Sequence, residues 1–213
     1  MLGKDRGDVM ADHKGHLGAV YDAKTPEQVA AGYDAWAASY DAEMASAGYR
    51  HPTIGLALLA RHLPRGVAPV LDAGVGTGLA GAWFGILGWP EVWGVDISDG
   101  MLSVAARKGS YARLSRAVLG EKLDFAGGQF AAVISTGVFT TGHVGAEALP
   151  ELIRITAKGG VIVLTVKGAL WEAGFEAALR AQPVDLLEVT APYLSMPGDP
   201  ATTPSRAVAV RVR

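Results

Sequence analysis

Apolar positions follow two different patterns along this chain. Between Thr25 and Pro64 they recur at helical spacing, and from Val67 onward they gather into short continuous runs separated by amphipathic stretches. In the first region Tyr33, Trp36, Tyr40 and Met44 follow one another at steps of three, four and four residues, which predicts one helix with an aromatic face. Thr25 supplies its cap, Pro26 suits the first helical position, Gln28 completes a capping box, and Gly48 ends it. A second helix follows Pro52, turns Ile54, Leu58 and Leu59 inward, and stops at Pro64-Arg65-Gly66. Residues 1–24 show neither period and read as a loose leader.

The second region alternates strands with helices. Strands are predicted at Val70-Leu71, Val92–Val95, Ala117–Leu119, Phe130–Ser135, Val161–Val166, Val184–Val189 and Arg206–Val212, seven in all. Helices are predicted over Leu79–Leu87, from Ser98 to Lys108, across Glu147–Ala157 and over Leu170–Ala181. Continuous apolar strands are buried on both faces, and their alternation with helices means an α/β domain with a mainly parallel sheet. Only a loop, Thr190–Ser205, joins the last two strands, which favours an antiparallel C-terminal strand. One domain over 25–213 is expected, with 25–66 as a helical cover and 67–213 as the α/β core.

Composition narrows the possible chemistry. The 213 residues carry 19 Lys+Arg, 21 Asp+Glu and no cysteine, so disulfides and Cys-ligated metals are out. A net charge of −2 without a basic cluster argues against nucleic acid. No apolar run approaches the ~20 residues that span a bilayer, and no secretory signal is visible, so a cytoplasmic protein without a membrane partner is expected. Glycine is the outlier: 28 of 213 residues, about 13%, against a usual ~7%.

Those glycines concentrate where an open α/β sheet binds ligands, at the carboxyl end of the first strand. Asp72-Ala73-Gly74-Val75-Gly76-Thr77-Gly78 leads into a helix, and Asp96 ends the next strand 18 residues past Gly78. Bare backbone can approach a ligand closely, and a carboxylate there can accept both hydroxyls of a ribose. An adenosine-containing cofactor follows. Gly76-Thr77-Gly78-Leu79-Ala80-Gly81 also matches the dinucleotide fingerprint, so a nicotinamide-dependent oxidoreductase remains an alternative. Asp72 opposes it, since a carboxylate at the mouth of the strand disfavours pyrophosphate and suits a sulfonium or ammonium. None of the tyrosines has a lysine four positions on, so the reductase Tyr-x-x-x-Lys pair is missing.

The segment Val70–Gly78 resembles motif I of the class I S-adenosylmethionine-dependent methyltransferases, and Val95-Asp96-Ile97-Ser98-Asp99-Gly100-Met101-Leu102 resembles the segment that cradles ribose and adenine. Tyr33-Asp34-Ala35-Trp36, Tyr40-Asp41 and Tyr49-Arg50-His51-Pro52 are similar to the leader of the small methyltransferases related to the Williams–Beuren syndrome-region methyltransferase. The resemblance implies a Rossmann-like sheet with helices on both faces and S-adenosyl-L-methionine as cofactor, leaving S-adenosyl-L-homocysteine. It implies that Asp72, Ala73, Gly74, Val75, Gly76, Thr77 and Gly78 hold the methionine end. Asp96 takes the ribose, Ile97, Ser98 and Met101 surround the adenine, Leu119 and Gly120 line its edge, and Thr136 and Gly137 lie beneath the methyl group.

Methyl transfer from a sulfonium releases a neutral thioether, so no general acid is obligatory, and positioning supplies much of the rate. His143, in the loop after the fourth strand, is the candidate base for a hydroxyl or thiol acceptor. Tyr33, Trp36, Tyr40, Tyr49 and Arg50 are candidates for a lid or for acceptor contacts, and Trp171 and Tyr193 for a pocket wall. Ser135-Thr136-Gly137 offers no carboxylate for a metal. The expected partner is a small-molecule methyl acceptor with an O, N or S nucleophile; a non-catalytic S-adenosylmethionine-binding protein is the other alternative. Oligomeric state leaves no signature in the sequence.

Overall fold

A computed structural model describes residues 15–140 and 144–213. Strands β1 (Val70–Ala73), β2 (Val92–Asp96), β3 (Arg113–Arg116), β4 (Phe130–Phe139), β5 (Thr156–Lys167), β6 (Val184–Val189), β7 (Tyr193–Leu194) and β8 (Pro204–Val212) form one sheet. Seven of them lie in the order β3-β2-β1-β4-β5-β8-β6, and the two-residue β7 pairs with β8. Pairings from β3 through β5 are parallel, and β8 runs antiparallel to both its neighbours. This is the Rossmann-like, mainly parallel sheet with an antiparallel C-terminal strand.

The continuous apolar runs resolve into two faces. On β1, β4 and β5, Leu71, Val133, Ile162 and Leu164 enter one core with α7 (Leu149–Ile155), while Val70, Ile134, Val161 and Val163 enter the other with α4 (His51–His62) and α5 (Gly81–Leu87). Helix α6 (Asp99–Lys108) follows β2, and α8 (Gly168–Leu170) leads through a π-helical turn, Trp171–Phe175, into α9 (Glu176–Arg180). Among the described residues no helix is long and apolar enough to cross a membrane.

Three local expectations change. The aromatic stripe is carried by two helices, α2 (Pro26–Trp36) and α3 (Tyr40–Ala47), broken at 37–39. Thr25 caps α2 through the Gln28 N–H, and Gly48 ends α3 with φ 67°. The leader expected to be loose contains helix α1 (Gly15–Asp22), because Val20 finds a tertiary partner: it packs with Trp36 and Met101 in a third small core. The third strand is Arg113–Arg116, not Ala117–Leu119. It is the sheet's edge and mostly exposed, so its residues are polar, and the apolar triplet that follows it faces a cavity instead.

Candidate cofactor site

A cavity of about 240 Å³ opens at the carboxyl ends of β1, β2 and β4. Its floor is backbone. Gly74 and Gly76 have φ of 81° and 55°, and a Cβ on Gly74 would collide with the Val138 side chain. β4 is irregular between Ser135 and Phe139, where Gly137 takes φ 79° and donates its N–H to Thr165 Oγ1 at 2.7 Å. A Cβ there would fall on the Tyr49 hydroxyl, so only glycine lets that tyrosine close down.

Asp96 forms the fixed polar point of the wall. Its Oδ2 accepts the Gly76 N–H at 2.8 Å and its Oδ1 the Ser98 N–H at 2.9 Å, which ties the glycine loop to the end of β2. Burial raises its pKa above the usual carboxylate value, opposed by those backbone donors. Each oxygen keeps a lone pair for a ligand hydroxyl. Ile97, Met101, Ala117, Val118 and Leu119 supply an apolar slot beside it.

The roof comes from the N-terminal helices. Tyr33, Tyr40 and Tyr49 line the cavity with Val29 and the 23–26 turn. Burial pushes all three phenols above their ordinary range, so they stay protonated and contribute hydroxyls without charge. Two aspartates latch this roof down. Asp34 Oδ1 accepts from Ser98 Oγ at 2.6 Å and from the Gly100 N–H at 2.8 Å. Asp41 accepts from Thr77 Oγ1 at 2.5 Å and from Lys108 Nζ at 2.6 Å.

The structure thus brings Gly74, Gly76, Asp96, Ile97, Met101, Leu119, Thr136, Gly137, Tyr33, Tyr40 and Tyr49 to one cavity. The other candidates do not line it. Asp72 is 2% exposed and lies under the loop, where the Tyr111 hydroxyl donates to it at 2.8 Å; burial lifts its pKa to about 7. Gly78 and Gly81 rest on the Tyr111 ring, so Asp72 steadies the loop from behind. Ala73 belongs to the core, Val75 packs at Gly94, Thr77 serves the latch, and Ser98 caps α6 by accepting the Met101 N–H. Trp36 fills the third core, Arg50 is an exposed residue at the start of α4, and Gly120 approaches Glu147. His143 lies outside the described residues. Residues 23–26, Val29, Val138 and Val144 line the cavity without having been signalled by any motif.

Comparison with known proteins agrees with this geometry. The family described as "Methyltransferase domain" matches residues 71–164, which span β1 to β5 and every wall of the floor. The human protein "Methyltransferase-like protein 27" is 38% identical over 159 residues, 73% of this chain; the match covers 64% of that relative's length. A TehB-like SAM-dependent methyltransferase from Corynebacterium glutamicum shares the fold at TM-score 0.62 and 21% identity, over 86% of this chain and 98% of that one. The [4+2]-cyclase SpnF does so at TM-score 0.66 and 15% identity, over 89% and 97%. Residues 71–164 thus match a methyltransferase domain, and the fold is the one shared by S-adenosylmethionine-dependent methyltransferases of known structure. Within that class the chain is similar to the Williams–Beuren region methyltransferase-like proteins, through its human relative.

Proposed function

We propose that this chain transfers the methyl group of S-adenosyl-L-methionine to a small-molecule acceptor. The observation that carries the reading is Asp96, pinned by two backbone N–H groups at the edge of a cavity in which Gly74 and Gly137 leave no room for a Cβ. The residues fit the cofactor: Asp96 for the ribose hydroxyls, Ile97 and Met101 beside the adenine, and Gly74, Gly76, Thr136 and Gly137 around the methionine end. Asp72 beneath the loop, where it is ionised, disfavours a pyrophosphate and suits a sulfonium. Bound there, the cofactor supplies an electrophilic methyl and a neutral leaving group.

The protein's own contribution is positioning and exclusion of water. The tyrosine roof covers the cavity, and its neutral hydroxyls orient polar atoms without adding charge. Effective molarities of ~10⁵–10⁸ M show what alignment alone can supply. A small acceptor is favoured by the tyrosines that cover the cavity and by a net charge of −2, which gives a nucleic acid no excess of basic residues. SpnF shows that the fold is also found in a protein named for a different reaction, so methyl transfer itself is the quantity to measure. Incubation with methyl-tritiated cofactor and a fractionated cell extract is expected to place label in a compound below about 1 kDa, with matching S-adenosylhomocysteine. Label confined to macromolecules, or no consumption of cofactor, would contradict the proposal.

A further inference from the structure

Next to the cofactor cavity lies a buried cluster of polar side chains that methyl donation leaves unused. Strand register sets three side chains abreast: Lys167 on β5 pairs with Ser205 on β8, and Ser205 pairs with Tyr193 on β7. Paired residues share a face of the sheet. This face is covered by α4, whose first residue His51 meets the Tyr193 hydroxyl through Nδ1 at 2.7 Å. The cluster is nearly dry, with Lys167 8% exposed and His51 and Ser205 buried.

Its polar atoms are poorly used. Among the described residues, the hydrogen bond of Lys167 Nζ is a long one, 3.5 Å to the Thr203 carbonyl. Asp199 is the acidic group whose field reaches it. The hydroxyls of Ser205 and Ser195 are buried without a hydrogen-bond partner among the described residues. Ser195 adjoins the start of α4, where its carbonyl accepts the Arg50 N–H, and that helix begins without a side-chain cap. A buried ammonium is costly unless an anion and hydrogen bonds compensate it.

We infer that this cluster receives a carboxylate carried by the methyl acceptor. The inference rests on the proposed function and adds the chemical class of its substrate. Position supports it: the His51 ring and the Tyr49 hydroxyl both press on Gly137, which lines the cofactor cavity, and the two rings meet edge to face at 5.5 Å. Tyr49 therefore stands between the cavity and this cluster, and an acceptor anchored on Lys167 and Ser205 would present its neighbouring atoms at the cavity's end. Charge supports it as well. Burial and the nearby Lys167 hold the His51 imidazole neutral, with a pKa of about 3, so the cationic side chain of the cluster is Lys167, whose own pKa burial lowers and the field of Asp199 raises. One charge complements a monoanion better than a phosphate dianion.

The test uses protein saturated with S-adenosylhomocysteine, titrated with benzoate, phenyl phosphate and neutral benzamide and read by saturation-transfer NMR. Benzoate is expected to bind at least ~10-fold more tightly than either other probe. Lys167→Met, which keeps length and packing, should abolish that preference while calorimetry shows unchanged S-adenosylhomocysteine affinity. Ser205→Ala, a milder change in case the first variant does not fold, should lower benzoate affinity several-fold. Equal binding of benzoate and benzamide, no binding of either, or tighter binding of phenyl phosphate overturns the inference. So does a preference that survives Lys167→Met, or benzoate affinity unchanged in Ser205→Ala. A fall in S-adenosylhomocysteine affinity in Lys167→Met would give the lysine to the cofactor's own carboxylate, and also overturn it. Failure of wild-type protein to bind S-adenosylhomocysteine would instead sink the cofactor reading.

Discussion

The floor and the roof of the cofactor cavity are built by different physics. The floor is sheet and glycine loop, held by parallel ladders, by two cores on opposite faces, and by an Asp96 that spans loop and strand. The roof is three short helices over a small core of Val20, Trp36, Met44 and Met101, fastened by Asp34 and Asp41. A floor of backbone is preorganised, whereas a roof held by a few side-chain bonds opens at lower cost. Binding strength is therefore expected to reside in the floor, and the rates of entry and release in the roof.

Asp96→Ala should have the largest effect. It removes about two charge-assisted bonds to the ribose, ~1.5–3 kcal/mol each, and frees the glycine loop, so calorimetry should show S-adenosylhomocysteine affinity falling ~10²-fold or more. A smaller loss would move binding strength out of the floor.

Asp72→Asn tests the support behind the loop. The carboxyl's pKa is raised to about 7 in the folded protein, so its contribution to stability is fully present below the unfolded value near 4 and is lost as pH rises through 7. The amide keeps the bond from Tyr111 and does not ionise. Chemical denaturation at pH 8 should find the variant more stable than wild type, by ~4 kcal/mol at most, with the difference vanishing near pH 4. Equal pH profiles for both proteins would show that Asp72 stays ionised without penalty.

Gly137→Ala strikes where floor meets roof. Left-handed backbone costs an alanine ~1–2 kcal/mol, and the new Cβ displaces the Tyr49 hydroxyl. S-adenosylhomocysteine affinity should fall ~10-fold, and Tyr49→Phe in the same chain should restore part of it, since the hydroxyl is the atom met. Additive losses would separate the two residues. The smallest equilibrium effect belongs to Asp41→Asn, a partly exposed latch worth ~0.2–1 kcal/mol, which should raise the stopped-flow release rate of S-adenosylhomocysteine several-fold and barely change Tm.

The same contrast explains what could be read from sequence. Floor elements announce themselves because their causes are local: glycines where φ is positive, an acid at a strand end, β-branched runs buried on both faces. Asp96, Gly74 and Gly76 were therefore legible, and so were Val184–Val189 and the antiparallel last strand. The roof depends on long-range partners. Helix α1 exists because Val20 packs with Trp36, and the break at 37–39 divides a stripe whose spacing alone predicts one helix. The edge strand β3 hid behind its own polarity, and Ala117–Leu119 carried the apolar signal one step too far along the chain. Asp72 was noticed for its charge, but its hydrogen bond is to Tyr111, 39 residues away, a pairing that spacing cannot reveal.

Parallel calorimetric titrations of the unmodified protein with S-adenosylhomocysteine and with NAD(P)H test the central claim most directly. The account predicts one-to-one binding of the first and no heat from the second. Saturable binding of the dinucleotide, with none of the thioether nucleoside, would contradict it.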